Sequence, residues 1–253
     1  GPLGQGTANA VGLALAESLL AARFNTPEHK LVDHFTYALV SDGDLMEGIS
    51  HEAASLAGHL GLGKLVYLYD DNAITIEGET ELATSEDTAG RFESYGWQVQ
   101  KIDGHDRQAI AAALESARAE TARPSIIIAK TTIGFGSPNK SGTSGVHGSP
   151  LGDEECGLTR EALGWNHPEC TVPDEVRELF LEPGTAGAEK HSAWNELFAD
   201  YREKNPEKAA DWDRMQAGEL PAELRESLPV FESSEGSIAT RAASGKVINA
   251  IAD

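Results

Sequence analysis

Short apolar runs and helix-periodic stretches take turns over the first 130 residues. Residues 7–23 place Val11, Leu13, Leu15, Leu19 and Leu20 among alanines, which predicts a helix apolar on most sides and therefore buried. Residues 34–40 predict a strand ending at a turn that holds Asp42, and residues 45–60, rich in small side chains, predict a helix. A second buried strand, Lys-Leu-Val-Tyr-Leu-Tyr, spans 64–69. Residues 85–95 predict a short helix with Ser85 as N-cap, and residues 97–102 a third strand. Residues 106–120 carry Ile110, Ala113, Leu114 and Ala117 on one helical face, and Pro124 opens a strand over 125–130.

Largely apolar strands alternating with helices predict an α/β fold, a parallel sheet with helices on both faces. Right-handed crossovers put the loops after the strands on one rim, where open α/β sheets bind ligands. Asp42, Asn72, Gly104 and residues 131–136 all fall on that rim. After Ser137 the pattern changes. Residues 137–151 are rich in Gly, Ser, Pro and Asn and read as a loop; residues 153–228 read as short helices and turns, heavily acidic. The expected organisation is an α/β core over 1–152, a helical extension over 153–218, a linker over 219–236 and a new amphipathic helix within 237–253.

Charge narrows the partners. The 253 residues hold 41 acidic and 20 basic side chains, a net charge of −21, which disfavours nucleic acid and anionic lipid. The composition suits a soluble cytoplasmic protein, and no apolar run approaches the ~20 residues of a membrane span. A phosphorylated ligand needs a metal or well-placed cations against this field. Cys156 and Cys170 stand in no metal-type spacing and read as reduced thiols.

The most informative stretch is 41–74. Ser-Asp-Gly-Asp-Leu-Met-Glu-Gly at 41–48 follows one strand, and Tyr-Asp-Asp-Asn-Ala-Ile at 69–74 closes the next. Asp42, the Asn72 amide and a carbonyl near Ile74 supply about half of the six oxygens that Mg²⁺ prefers, leaving places for phosphate oxygens and water. The plainer alternative makes Asp42 an N-cap and Asn72 a turn residue. Gly43 allows a sharp turn after the strand.

These motifs resemble the transketolase family. So do Gly-Pro-Leu-Gly-Gln-Gly at 1–6, Ile-Gly-Phe-Gly-Ser-Pro-Asn-Lys at 133–140, His-Gly-Ser-Pro-Leu-Gly at 147–152 and Thr-Arg-x-x-Ser at 240–244, all in family order. The resemblance implies the diphosphate-binding domain of a thiamine-diphosphate (ThDP) enzyme, with a reversible two-carbon ketol transfer between sugar phosphates of the pentose phosphate pathway. It implies Asp42, Asn72 and the Ile74 carbonyl as holders of Mg²⁺ or Ca²⁺, and Gly43 against the diphosphate. Gly1, Pro2 and Leu3 would line the thiazolium and aminopyrimidine side, Ile133 the cofactor ring, and His147 the diphosphate and reacting centre. Glu47 would face its symmetry mate in a homodimer, and Arg241 would grip a substrate phosphate. By the same resemblance an N-terminal piece and most of a pyrimidine-binding domain lie outside the chain, supplied by the rest of a longer polypeptide or by a complementary subunit. Two other readings stand beside this one. One is a related ThDP enzyme, dihydroxyacetone synthase or deoxyxylulose-phosphate synthase, the latter disfavoured by Met46-Glu47-Gly48 and the His147 motif. The other is a non-catalytic cofactor-binding half.

The chain departs from the family pattern at Ser41 for glycine, at Ala242 for lysine, and at Ala73 for glycine, so the backbone at 73 is expected to avoid the left-handed region. His51-Glu52 is half a zincin motif, but Ser55 stands where the second histidine belongs. His105 reads as a turn histidine capping the next helix or as a cofactor contact. His59, His167 and His191 read as surface or packing residues. Residues 153–155 read as a solvated helix start, and Lys130 and Lys140 as either phosphate counter-charges or solubilising groups.

Overall fold

The computed structural model describes residues 2–232, 234 and 236–252. Four strands form a parallel sheet in the order β1-β2-β4-β3: β1 Thr36–Ser41, β2 Leu65–Asp71, β3 Gln98–Asp103 and β4 Ser125–Lys130. The two central strands are the most apolar. Leu65, Val66, Tyr67, Ile126 and Ile127 are all but sealed from solvent, as expected for strands covered on both faces.

Helices α1 (Gln5–Phe24), α3 (Gly48–Leu60) and α4 (Thr88–Ser94) contribute to the core on one face, and α5 (Arg107–Ala119) to that on the other. On the first face Tyr67, Phe92 and Trp97 pack with ring centroids 4.7–6.4 Å apart. Their polar atoms find partners, as burial demands: the Trp97 indole donates to the Ala54 carbonyl at 2.8 Å and the Tyr67 hydroxyl to the Thr7 carbonyl at 2.8 Å. On the second face Val66 and Ile127 meet Ala113 and Ala117 of α5. That helix starts at Asp106, whose carboxylate accepts from the amides of Gln108 and Ala109 at 2.8 and 3.2 Å.

Three elements differ from the sequence expectation. The helix expected over 45–60 is two: α2 (Asp42–Met46) begins at the strand tip, and Glu47, extended at φ −70° and ψ 137°, separates it from α3. The helix expected from Ser85 begins at Thr88 with Asp87 as N-cap. The acidic region contains α6 (Asp153–Ala162) and a 31-residue helix, α7 (Asp174–Lys204), running through Pro183. Gly184, Gly187 and Pro183 interrupt its periodic pattern, so sequence reading breaks it into pieces.

The chain divides into two compact units, 1–191 and 192–253. In the second, Trp194, Phe198 and Trp212 cluster with centroids 5.1–6.3 Å apart, and Arg202 lies 4.8 Å over Phe198 while forming an ion pair with Asp213. Its remaining helices are α8 (Pro206–Gln216), α9 (Leu224–Ser227) and α10 (Thr240–Ala250). Among the described residues no helix is long and apolar enough to cross a membrane.

Candidate functional site

The tip of β1 delivers Asp42 already freed from capping. Ser41 is the N-cap of α2, and its amide and hydroxyl both reach the Asp44 carboxylate, at 3.1 and 2.9 Å. Asp42 is 7% exposed. One of its carboxylate oxygens accepts from the Tyr69 hydroxyl at 2.5 Å; the other is buried without a hydrogen-bond partner. Burial raises the Asp42 pKa, the Tyr69 bond opposes that, and Asp71 and Asp70 push it further up. The Tyr69 phenol is itself pushed up strongly, first by burial and then by Asp42. A buried carboxylate with one orphaned oxygen is costly unless a positive charge or a donor meets it, and its chemistry fits a cation.

Strand register brings the second donor to the same rim. Ser41 pairs with Asp70 across neighbouring parallel strands, so Asp42 and the Asp71–Asn72 step lie level, on strands about 4.8 Å apart. The Asn72 side-chain oxygen accepts from the Ile74 amide at 3.0 Å, so Asn72 is a turn residue too. The turn is closed by the Thr80 amide on the Ala73 carbonyl at 3.0 Å and by the bridge between Ile74 and Glu79. Ala73 sits at φ 60°, in the left-handed region, contrary to the expectation from its side chain. The bonds on either side of it dictate that geometry, and alanine bears the steric cost that glycine escapes. Beside these tips opens a cleft of about 550 Å³ lined by Asp42, Tyr69, Asp71, Glu86, Lys101 and Lys130. Among the described residues no three His, Cys, Asp or Glu side chains converge on one point. The donors expected from the sequence, one carboxylate, one amide and a backbone carbonyl, are a set that suits a hard cation keeping places for phosphate oxygens.

The loop after β4 is tied to the end of β2. The Thr131 hydroxyl bonds the Asp70 carboxylate, the Thr131 amide donates to the Asp71 carbonyl at 3.1 Å, and Lys130 pairs with Asp71 at 3.3 Å. The Ile133 carbonyl accepts from the Gly142 amide at 2.8 Å, and Val146 packs against Gly134, where an added Cβ would lie 3.0 Å from it. That fold-back brings exposed His147, which ends a 3-10 turn over Ser144–Val146, to the side of the loop that carries Ile133. Glu155 is buried, not a solvated helix start as its sequence context suggests. Its carboxylate accepts from the Ser137 hydroxyl and from both the amide and the side chain of Asn139, at 2.9 Å each for the latter two. Those bonds, Ser137 first, hold its pKa at about 2. Lys140 donates to the Leu151 carbonyl at 2.7 Å, so it closes this loop, and Lys130 serves Asp71.

The N-terminal segment comes to the same turn. Leu3 lies against Gly43, where an added Cβ would stand 3.4 Å from its side chain, and the Gly4 amide donates to Asp44 at 3.2 Å. Pro2 and Leu3 are exposed; Gly1 lies outside the described residues. Glu47 is exposed at the elbow between α2 and α3, next to Gly4. Arg241 lies at the start of α10, exposed, in the second unit. His105 does not cap α5, since Asp106 does so.

Residues 1–221 match the family model described as "Transketolase, thiamine diphosphate binding domain". The chain belongs to the transketolase family. It is 52% identical over 255 residues to transketolase 1 of Vibrio cholerae, covering 99% of this chain and 38% of that protein. To the transketolase of Geobacillus stearothermophilus it is 53% identical over 258 residues, covering 100% of this chain and 38% of that protein. The solved transketolase of Leishmania mexicana superposes with a TM-score of 0.92 at 41% identity, over 99% of this chain and 37% of that one. A Pichia stipitis transketolase complexed with sedoheptulose 7-phosphate gives 0.92 at 43%, with the same coverage. The chain thus spans about 38% of the length of the curated transketolases it matches. Within the family frame, sequence reading passed over Tyr69 and Glu155. Tyr69 carried a signal, a tyrosine near the end of a buried run three residues before Asn72; Glu155 carried none, since three successive acids at a helix start are ordinary.

Two outcomes follow. Ala73→Gly relieves a left-handed alanine at about 1–2 kcal/mol and gives back part of that to the freer unfolded chain, for a net gain of about 0.5–1 kcal/mol, read as a higher denaturant midpoint. Glu155 has its folded pKa depressed to about 2 from an ordinary 4.5, so its contribution is full above the unfolded value and is lost as pH falls toward 2. Amide exchange at Asn139 and Lys140 should accelerate over that window, and Glu155→Gln should show the acid behaviour at neutral pH.

Proposed function

We propose that this chain is the diphosphate-binding part of a transketolase: an enzyme that reversibly transfers a two-carbon ketol unit from a ketose phosphate to an aldose phosphate, dependent on ThDP and Mg²⁺ or Ca²⁺, in the cytoplasmic pentose phosphate pathway. The single observation that carries the metal and cofactor reading is the buried, half-partnered carboxylate of Asp42 at a rim shared with Asn72 and Ile74. The solved complexes of the Pichia stipitis transketolase with xylulose 5-phosphate, fructose 6-phosphate and sedoheptulose 7-phosphate support sugar phosphates as substrates.

Asp42, Asn72 and the Ile74 carbonyl would hold the cation, and Gly43 would let the diphosphate approach the start of α2. The metal neutralises phosphate within a chain of net charge −21. ThDP, when bound, supplies the carbanion chemistry. The chain's own residues orient it: Pro2 and Leu3 line one side, and Ile133 packs against its ring. His147, exposed at the rim, exchanges a proton with the reacting centre and contacts the diphosphate. Arg241 offers its planar fork to the substrate phosphate; Ala242 beside it leaves that grip without a second cation.

A homodimer completes the site in this reading. Helices α1 and α3 pack together yet leave Leu13 and Leu19 more than half exposed, with Ile49, Leu56 and Leu60 partly so, an apolar face at the elbow where Glu47 projects. In the same reading residues 219–236 link to the first helix, within 237–253, of the pyrimidine-binding domain.

Asp42→Ala should abolish Mg²⁺-dependent ThDP binding in titration calorimetry; unchanged affinity would remove the metal assignment. In the assembled enzyme, His147→Ala should lower kcat by about 10²-fold or more while moving cofactor affinity far less. Equal losses in both would reduce His147 to a packing residue.

A further inference from the structure

We propose that His105 is a positioning residue: it clasps the loop after β4 and so holds Ile133 in its cofactor-facing place. The inference rests on the cofactor reading above. His105 is fixed first by its own backbone, whose amide donates to the Asp103 carboxylate at 2.9 Å, just past the end of β3. The ring then reaches across to the next loop on the rim. Its Nε2 lies 3.0 Å from the Thr132 amide, which can only donate, so Nε2 accepts and the ring proton sits on Nδ1. The same ring stacks on Phe135, with centroids 4.2 Å apart and planes at 26°.

Neither contact serves the core. Phe135 is 59% exposed, and His105 is exposed as well. Capping does not explain the histidine either, because Asp106 caps α5. What the two contacts share is the segment 132–135, with Ile133 between them. Gly134 within that segment and Gly136 just after it both adopt positive φ, at 65° and 90°, so the backbone there depends on its contacts more than on side-chain sterics. One end is held by Thr131 on Asp70 and Asp71, the far side by Gly142 and Val146. His105 supplies the hold on the near side. The backbones approach closely there, since a Cβ on Gly104 would stand 2.5 Å from the Thr131 methyl, which places the histidine within reach of the loop.

The test uses the full chain and three readouts. In wild type, ¹⁵N shifts of the His105 ring should report the Nδ1-protonated form. His105→Ala should speed amide exchange at Thr132 and its neighbours without cofactor, leave the melting temperature unchanged, and weaken ThDP binding in Mg²⁺ about tenfold, as loss of one neutral hydrogen bond and one ring stack implies. His105→Gln, whose side-chain oxygen can take the place of Nε2, should recover much of the Thr132 protection. An Nε2-protonated ring, or unchanged exchange at Thr132 in His105→Ala, overturns the clasp. If Asp42→Ala loses ThDP binding while His105→Ala keeps it, the positioning role alone is overturned. If Asp42→Ala binds as wild type does, the cofactor reading and the positioning role fall together.

Discussion

One carboxylate governs this structure. Asp42 is folded into the protein with a single hydroxyl for company, and its second oxygen faces no donor. Burial of that kind opposes folding, so the neighbouring elements hold it by other means: the Ser41–Asp44 pair starts α2, the register of β1 on β2 sets its height, and the aromatic core beneath keeps Tyr69 in place. In the proposed reading, a cation bound there would offset what the fold gives up.

Around that carboxylate the rim is a set of loops fastened within themselves and to the strand tips. The loop after β2 is locked through Asn72 and Ala73, the loop after β4 through Thr131, and the long segment to Leu151 through Glu155 and Lys140. Most of these fastenings are polar side chains bonding backbone or another side chain, the Glu155 one buried, and none requires an apolar core. This separates the rigid sheet from the parts that meet a ligand, the division of labour expected where binding groups sit on loops above a fixed scaffold.

The sheet was legible because its signal is dense. Residues 64–69 and 125–130 read as buried strands from their apolar runs alone, and the β1–β2 pairing puts Asp42 and Asn72 on neighbouring tips as their position after successive strands suggested. What escaped was set by side-chain partnership. Glu155 looks solvated until Ser137 and Asn139 are seen closing on it, because three acids at a helix start are ordinary on a surface. Ala73 looked as if it would relax its backbone, but the hydrogen bonds flanking it outweigh its own preference. The break at Glu47 was hidden because Leu45 and Met46 before it and the alanine-rich run after Gly48 read as one helix, and only the cap at Ser41 tells where the first helix starts.

The left-handed alanine carries a genetic corollary. Alanine and glycine codons differ by a single base, so the relaxed version of this loop lies one point mutation away from the present gene. Selection for growth at elevated temperature therefore has that substitution within immediate reach.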